Sequence, residues 1–310
     1  MRLFFATDVH GSDTCWVKFL RAAENLKVDA LVLGGDIVGK MIVPIATEDG
    51  RRYTYSLHNR TRTVQASDLD RTCKEVSRSG FYPYVCSAVQ LDDLRSGEAQ
   101  IDQLFQQLSC DRLQKWLDMA SELLPASVRL LVSPGNDDPL YIDPILEGHS
   151  RNEYPEGVSI QLGEYEMITC GWVNPTPWHT EREESEEQLA ERLERLFNLT
   201  TGTDRVIANL HVPPFDSGID RAPALDANMR PVGTFSGVKM KGAGSTAVRS
   251  AIERHAPILA LHGHIHESPG QVRLGKTLCI NPGSEYGEGI LRGVLVVLDG
   301  SKVQVHILQK

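Results

Sequence analysis

The sequence predicts an α/β protein whose sheet contains parallel strands, and three features of its first 35 residues support this prediction. Residues 3–7 form a short apolar run that is typical of a buried strand. Apolar residues then follow at helical spacing over residues 14–26. A second apolar run, residues 30–33, ends at a pair of glycines. A strand, a helix and a strand in this order are typical of a parallel α/β unit.

The rest of the chain continues the pattern. Strands are predicted at residues 128–132, 158–162, 167–170, 206–210 and 258–261, and further strands from residue 271, with a hairpin turn at Asp299 and Gly300. Helical spacing recurs at residues 101–108 and 113–124, where Pro125 stops the second pattern. An acidic amphipathic helix is predicted over residues 181–198. Residues 212–244 are rich in Pro and Gly and are expected to form loops.

One long segment interrupts this alternation of strands and helices. Residues 40–90 are rich in Arg, Thr, Tyr and Ser and show weak periodicity. We therefore expect a single domain over residues 1–310 with a cap-like insertion at residues 40–124.

The composition limits the class of protein. Hydrophobic residues make up 41% and charged residues 24%, which excludes a disordered or fibrous chain. No apolar run approaches the roughly 18 residues of a membrane span. The six cysteines are scattered without a Cys-x-x-Cys motif, so we expect reduced thiols. A soluble cytoplasmic protein without a membrane partner is the expectation.

The charge balance limits the partners. The chain has 32 basic and 41 acidic residues, a net charge of −9. Long nucleic acid is not an expected partner because the chain offers no broad basic surface. If the protein binds phosphate, a group other than Lys and Arg must supply most of the positive charge.

Chemically active side chains follow five of the predicted core strands. They are Asp8 and His10, then Asp36, then Asn136 and Asp137, then His211, and finally His262, His264 and His266. Ligands bind at the carboxyl ends of strands in open α/β sheets. Any one of these residues alone is more often a turn or structural residue. The five segments together predict a site.

The residue types indicate a metal site. Mixed imidazole, carboxylate and amide ligands suit Mn, Fe, Ni or Zn. Seven of these residues exceed what one tetrahedral ion needs, so we expect two divalent ions that share a bridging carboxylate. Two such ions would supply the positive charge that the acidic chain lacks.

The motifs also resemble a known family in their order and spacing. Asp8-Val-His10, Gly35-Asp36, Gly135-Asn136-Asp137, His211 and Gly263-His264-Ile265-His266 resemble the signature of the calcineurin-like metallophosphoesterases. Asn281-Pro-Gly-Ser284 is similar to a segment of the small prokaryotic phosphodiesterases of this superfamily. The resemblance spans residues 8–266 and does not cover residues 40–124.

The resemblance implies a four-layer α/β/β/α sandwich with a dinuclear centre. It implies that the first ion takes Asp8, His10, Asp36 and His266, and that the second takes Asp36, Asn136, His211 and His264. Asp36 would bridge the ions. The implied reaction is hydrolysis of a small phosphoester substrate by a metal-bound hydroxide.

One position departs from the family pattern. The family usually carries a His after Gly-Asn, which gives the leaving group a proton or stabilises the phosphoryl oxygens, whereas this chain has Asp137. An Asp beside two cations should be ionised, so it cannot donate a hydrogen bond and should repel phosphate. We therefore favour a phosphodiester over a monoester. His262 is a weaker candidate for the acid, and a packed, hydrogen-bonded His is an equally good interpretation.

Two other functions remain open at this stage. One is a catalytically weak or inactive scaffold that acts through protein contacts, similar to the metallophosphoesterase-like subunit of retromer. The other is a nuclease of the same superfamily, against which the net charge argues. All seven ligand positions are present, which favours an enzyme. The substrate, the native metal, the leaving-group acid and the oligomeric state stay open.

Overall fold

The structure, a computed structural model, describes residues 1–202, 204–234 and 237–309. The strands are β1 (Arg2–Ala6), β2 (Ala30–Gly34), β3 (Ile42–Thr47), β4 (Arg52–Leu57), β5 (Arg60–Gln65), β6 (Tyr82–Ser87), β7 (Arg129–Ser133), β8 (Ser159–Leu162), β9 (Tyr165–Cys170), β10 (Val206–Leu210), β11 (Arg221–Pro223), β12 (Gly233–Thr234), β13 (Gly237–Val238), β14 (Met240–Gly242), β15 (Leu259–Leu261), β16 (Gly270–Leu274), β17 (Thr277–Asn281), β18 (Arg292–Asp299) and β19 (Lys302–Gln309). The helices are α1 (Asp13–Leu26), α2 (Leu69–Arg78), α3 (Ala88–Arg95), α4 (Glu98–Leu123), α5 (Asp143–Gly148), α6 (Glu186–Phe197) and α7 (Thr246–His255).

Two sheets form the centre of the domain. The first has the strand order β19-β18-β1-β2-β7 and the second the order β16-β17-β15-β10-β9-β8. β1, β2 and β7 run parallel, as do β9, β10, β15 and β17, while the outer strands pair antiparallel. The parallel strands of each sheet therefore end at one edge, as expected for a site built from strand ends.

The sheets pack face to face with helices outside both. Along β1, Leu3 and Phe5 lie in the cluster between the sheets, whereas Phe4 and Ala6 lie in the cluster under α1 and α4. This alternation follows from the period of two along a strand. A third cluster joins the outer face of the second sheet to α6 and α7. The predicted four-layer α/β/β/α architecture is confirmed.

The insertion contains a sheet of its own. Its strand order is β5-β4-β3-β6, and a small apolar cluster that includes Ile45, Tyr55 and Val76 lies against it. The two helical patterns predicted at its end are one continuous helix, α4, because no Pro or Gly separates them. The second half of α4 buries Leu113 and Trp116 in the core cluster of the first sheet, so this helix connects the insertion to the domain.

The other predicted elements match the structure with two differences, whereas the helices α5 and α7 were not predicted. The acidic helix begins at Glu186 rather than at residue 181, because Ser185 and Gln188 form a capping box there. Residues 212–244 contain the short strands β11–β14 within the expected loop.

The hairpin turn at Gly300 is confirmed, with a φ of 55°. All six cysteines are free. Within the described ranges, no helix is long and apolar enough to cross a membrane.

Candidate metal centre

The seven predicted metal ligands lie together where the core strands end. Backbone hydrogen bonds join the loops that carry them: Asp8 N–H donates to Gly35 O at 2.9 Å, and His10 N–H donates to Asp36 O at 3.0 Å. Across the sheets, Gly263 N–H donates to His211 O at 2.8 Å. These bonds fix the loops relative to each other, so the positions of the ligands follow from the sheets.

The side chains form two groups that share one carboxylate. One ligand atom from each of Asp8, His10, Asp36 and His266 lies within 4.8 Å of the others, and the same holds for Asp36, His211 and His264. Asn136 joins the second group, since its Oδ1 lies 2.7 Å from His264 Nδ1. The structure therefore brings all seven residues together, and Asp36 belongs to both groups.

Four of the ligands have left-handed backbone conformations. The φ angles are 53° at Asp8, 39° at His10, 54° at Asp36 and 64° at His264. Non-glycine residues rarely adopt positive φ, although Asp, Asn and His do so more readily than others. Such strain persists only where the surrounding structure holds it, and it clusters at functional sites.

Two motif glycines lie directly against the ligands. A Cβ on Gly135 would lie 2.3 Å from Asp36 Oδ1 and 2.7 Å from His211 Nε2. A Cβ on Gly263 would lie 2.1 Å from Thr7 Oγ1 and 2.4 Å from Asp8 Oδ2. No side chain fits in these spaces, so the ligand groups require glycine in both motifs.

The tautomer of His211 is set by the backbone. Its Nδ1 lies 2.9 Å from Gly34 O, and because a carbonyl only accepts, Nδ1 carries the proton. Its Nε2 is buried, lies 3.2 Å from Asp36 Oδ1, and has no hydrogen-bond partner among the described residues. A buried nitrogen that lacks a hydrogen-bond partner and lies beside a carboxylate fits a metal ligand.

The group of Asp8, His10, Asp36 and His266 also fits a metal ion. His10 Nε2 lies 3.1 Å from His266 Nε2, which lies 3.1 Å from Asp8 Oδ1. Two imidazole nitrogens this close share at most one proton between them, and a cation would satisfy both lone pairs. The donor set of imidazole, carboxylate and amide therefore fits divalent transition-metal ions, as the sequence indicated.

The histidines fall into two pairs by their pKa values. Burial disfavours charge on all four rings, but Asp36 raises the pKa of His211 to about 10 and Asp8 raises the pKa of His266 above its usual value. Burial, followed by the charges of Lys40 and His266, lowers the pKa of His10 well below its usual range. Burial, with His211, lowers the pKa of His264 to about 3. Both rings are therefore neutral near pH 7, the form that binds metal.

The pKa values of Asp8 and Asp36 shift in opposite directions. Burial disfavours the charged form of Asp8, but its hydrogen-bonded neighbour His266 and two further histidines hold its pKa well below the usual range. Burial raises the pKa of Asp36, and the nearby Asp137 raises it further. A bound cation would lower the pKa of Asp36 again, because a nearby positive charge favours the ionised carboxylate.

Asn136 is oriented by a chain of hydrogen bonds. Its Nδ2 donates to Asp137 Oδ1 at 3.1 Å and to Thr180 Oγ1 at 3.2 Å, which turns Oδ1 toward His264. Thr180 Oγ1 in turn donates to Glu183 Oε1 at 2.8 Å. Sequence reasoning missed Thr180 because nothing in its local sequence marks it.

The buried carboxylate of Asp138 joins two ligand loops. It accepts hydrogen bonds from the backbone N–H groups of Ile37, Val38 and Gly135, at 2.8 to 3.0 Å. Burial raises its pKa to about 7, and the charge of Asp36 contributes. Asp138 thus holds the Asp36 loop against the Asn136 loop.

Asp137 does not face the site alone. Lys40 Nζ lies 2.7 Å from Asp137 Oδ2 and partly neutralises it. Sequence reasoning missed Lys40, although its place four residues after Asp36 is a signal.

Tyr286 was also missed, and its ring lies 4.6 Å from that of His10. Near it, Ser284 Oγ donates to Asp8 O at 2.6 Å, which joins the Asn281-Pro-Gly-Ser284 segment to the site.

His262 lies in the interior beside the site. Its Nδ1–H donates to Leu210 O at 2.8 Å, with Val212 O at 3.1 Å, and the residue is fully buried. Burial lowers its pKa to about 4, so the ring is neutral near pH 7. These contacts support the interpretation of a packed His that is hydrogen-bonded through Nδ1, whereas its buried Nε2 has no hydrogen-bond partner among the described residues.

No family model and no curated protein matches this chain. A solved crystal structure aligns with 99% of this chain and 98% of its own length, at a TM-score of 0.61 and 19% identity. That similarity shows a shared fold, and the strand-end motifs resemble those of the calcineurin-like metallophosphoesterases. The chain has the four-layer α/β/β/α architecture that this resemblance implies.

More distant structures match along their whole length as well. TT1561 of Thermus thermophilus aligns over 99% of this chain and 98% of its own at 13% identity, with a TM-score of 0.48. YfcE, a phosphoesterase from E. coli, aligns over 100% and 98% at 13% identity, with a TM-score of 0.33.

Proposed function

We propose that this protein is a binuclear metal-dependent phosphoesterase that favours phosphodiesters. The supporting observation is that seven ligand-type side chains form two groups with Asp36 in common. When bound, two divalent ions would lower the pKa of water enough to give a nucleophile near neutral pH, and their charge would stabilise the phosphoryl oxygens. They also supply the positive charge that a chain of net charge −9 lacks.

The residues of the chain hold and orient these groups. The first ion would be held by Asp8, His10, Asp36 and His266, and the second by Asp36, Asn136, His211 and His264. The Gly34 carbonyl fixes the tautomer of His211, and Thr180 fixes the amide of Asn136. Such outer contacts orient the ligands and raise metal affinity.

The preference for diesters rests on Asp137. This carboxylate follows Asn136 and is a quarter exposed, at 26%. An ionised carboxylate gives no proton to a leaving alkoxide and repels a monoester dianion more than a diester monoanion. The Lys40 ammonium offsets part of this repulsion. A diester carries a single negative charge, so it depends less on this compensation than a monoester dianion does.

An enzyme accounts for the site better than a scaffold does. A protein that acts only through surface contacts gains nothing from an unpaired buried nitrogen such as Nε2 of His211, which costs stability. The negative net charge argues against a nuclease acting on long nucleic acid.

The test combines metal analysis with hydrolysis of two generic esters. Purified protein is loaded with Mn, Ni or Zn and assayed on bis-p-nitrophenyl phosphate and p-nitrophenyl phosphate. We expect about two ions per chain and faster hydrolysis of the diester. Asp36→Asn should lower both metal occupancy and hydrolysis because Asp36 belongs to both ligand groups. Asp111→Asn, on the exposed surface of α4, is the matched control.

Two outcomes would contradict the proposal. The first is about one ion per fully loaded chain with no change in Asp36→Asn, which would exclude a shared bridging carboxylate. The second is a fully loaded wild-type protein that hydrolyses neither ester, which would favour the scaffold.

A further inference from the structure

We propose that Lys40 binds a non-bridging phosphoryl oxygen of the substrate and that Asp137 positions the Lys40 ammonium for this contact. This inference rests on the proposed phosphoesterase function and adds a residue to it. Lys40 would be a catalytic residue because it touches the substrate, whereas Asp137 acts through Lys40.

The backbone before Lys40 is firmly anchored. Lys40 follows β2 by six residues, in the loop that carries Asp36. Val38 N–H donates to Asp138 Oδ1 at 2.8 Å, and Gly39 N–H donates to Tyr82 Oη at 2.8 Å. The Lys40 backbone therefore has a fixed place beside the ligand groups.

The side chain is held as well. Lys40 Nζ lies 2.7 Å from Asp137 Oδ2, while Asp137 Oδ1 accepts from Asn136 Nδ2 at 3.1 Å. The backbone N–H of Asp137 donates to Asp36 Oδ1 at 3.0 Å. Asp137 thus connects the ammonium to two ligands. The Lys40 side chain is 42% exposed, so a solute that reaches the site can contact it.

The charge of Lys40 acts on the first ligand group. After burial, it makes the largest contribution to the lowered pKa of His10. Burial alone would lower the pKa of Lys40, but Asp137, with a further contribution from Asp36, raises it to about 12. The ammonium therefore keeps its charge at neutral pH. It has three N–H donors, and the contact with Asp137 uses one of them.

The chemistry assigned to Lys40 leaves its protons in place. In hydrolysis, the oxygen of water bonds to phosphorus, the bond from phosphorus to the alcohol oxygen breaks, and the proton of the water ends on the alcohol. Negative charge is spread over the non-bridging oxygens, where a fixed cation is worth most. Lysine is a common ligand for phosphate as a point charge.

The first experiment measures binding of inorganic phosphate to the Mn-loaded full chain by calorimetry. Lys40→Met should weaken phosphate binding about 10- to 100-fold, since it removes one charge-assisted hydrogen bond. Lys40→Arg should retain most of the affinity. Metal content should stay unchanged because Lys40 is not a ligand. The control is Lys276→Met, an exposed residue in the turn before β17, at the end of that strand remote from the site.

The second experiment measures hydrolysis of bis-p-nitrophenyl phosphate. Lys40→Met should lower kcat/KM by ~10²–10³-fold, the usual cost of removing a donor to a developing oxyanion. Thermal melting of each variant tests whether it folds as the wild type does.

The role of Asp137 is tested by a double-mutant cycle on phosphate binding. Asp137→Asn alone should weaken binding less than Lys40→Met, because the ammonium stays but is less well placed. Lys40→Met leaves the Asp137 carboxylate unpaired and repulsive. The double variant Lys40→Met/Asp137→Asn should therefore bind phosphate more tightly than Lys40→Met alone. A merely structural Asp137 would make the double variant weaker than either single variant.

The outcomes separate this inference from the proposed function. If the wild type hydrolyses the diester, and Lys40→Met matches it in phosphate affinity and kcat/KM, the inference is wrong and the function stands. If the loaded wild type hydrolyses no ester but binds phosphate through Lys40, the proposed function fails and the contact stands.

Discussion

The substitution Gly135→Ala should disable the metal centre through a single methyl group. Gly135 precedes Asn136 and lies between two other ligands. The added Cβ would lie 2.3 Å from Asp36 Oδ1, 2.5 Å from Asp36 N and 2.7 Å from His211 Nε2. Since Asp36 belongs to both ligand groups, we expect both sites to be affected.

The size of the effect follows from these distances. An ordinary contact of a Cβ atom begins near 3.4 Å, so the Asp36 oxygen must move by roughly 1 Å. Metal sites tolerate deviations of only about 0.2 Å in ligand distance. A misplacement of about 1 Å costs about 10²-fold in catalysis, and disturbed support of ligands costs about 10- to 100-fold in metal affinity. Gly135→Ala should show at least these losses.

The assay is metal titration by calorimetry, followed by metal analysis and diester hydrolysis. Gly148→Ala is the matched control, because among the described residues nothing lies within 4 Å of a Cβ at this position. The control should keep wild-type metal affinity and activity. Circular dichroism of both apoproteins shows whether the fold survives.

One result would refute the reasoning. If folded Gly135→Ala binds two ions with wild-type affinity and hydrolyses the diester at the wild-type rate, Asp36 and His211 do not hold metal in the arrangement described.

Three further predictions concern positions around the site and in the core. Thr180→Val removes one of the two hydrogen bonds that orient Asn136, so metal affinity should fall about 10- to 100-fold by calorimetry, while Thr180→Ser retains it. Burial raises the pKa of Glu156 from 4.5 to about 7, so the wild type loses stability as pH rises through this interval, where the unfolded carboxyl is ionised and the folded one is not. Glu156→Gln should flatten the melting midpoint between pH 4.5 and 7, and parallel curves for both proteins would contradict this. Trp116→Ala, which removes a buried ring stacked on Trp16, should cost about 3–5 kcal/mol in urea unfolding, against about 0.5 kcal/mol or less for the exposed Trp178→Ala.

The core strands and the ligand positions could be predicted because the information is local. Each motif directly follows a buried apolar run, as Asp8 follows β1 and His211 follows β10. Strands that are buried on both faces are nearly continuous apolar runs, so their ends are easy to locate. Parallel strands that end at one edge then place the side chains together.

The insertion and the outer contacts of the site could not be predicted in the same way. β5 is mostly exposed, so it has no apolar alternation to mark it as a strand. The gap in apolar spacing near Ser109 suggested two helices, although no residue there ends a helix. The contact between Lys40 and Asp137 joins two loops far apart in the chain, and only the folded sheets bring these loops together.

The continuity of α4 limits how the inserted sheet can move. The helix begins at Glu98 among exposed residues, and its second half carries Trp116, which is buried against Trp16. Near its start, Phe105 packs edge-on against Tyr82 of the inserted sheet, with ring centroids 5.4 Å apart. Bending the helix would break backbone hydrogen bonds along it. The continuous helix therefore restricts motion of the inserted sheet relative to the core. In a chimaera that takes this insertion from a related chain, the two sequences should therefore be joined inside the helix, near Ser109, and not in a loop.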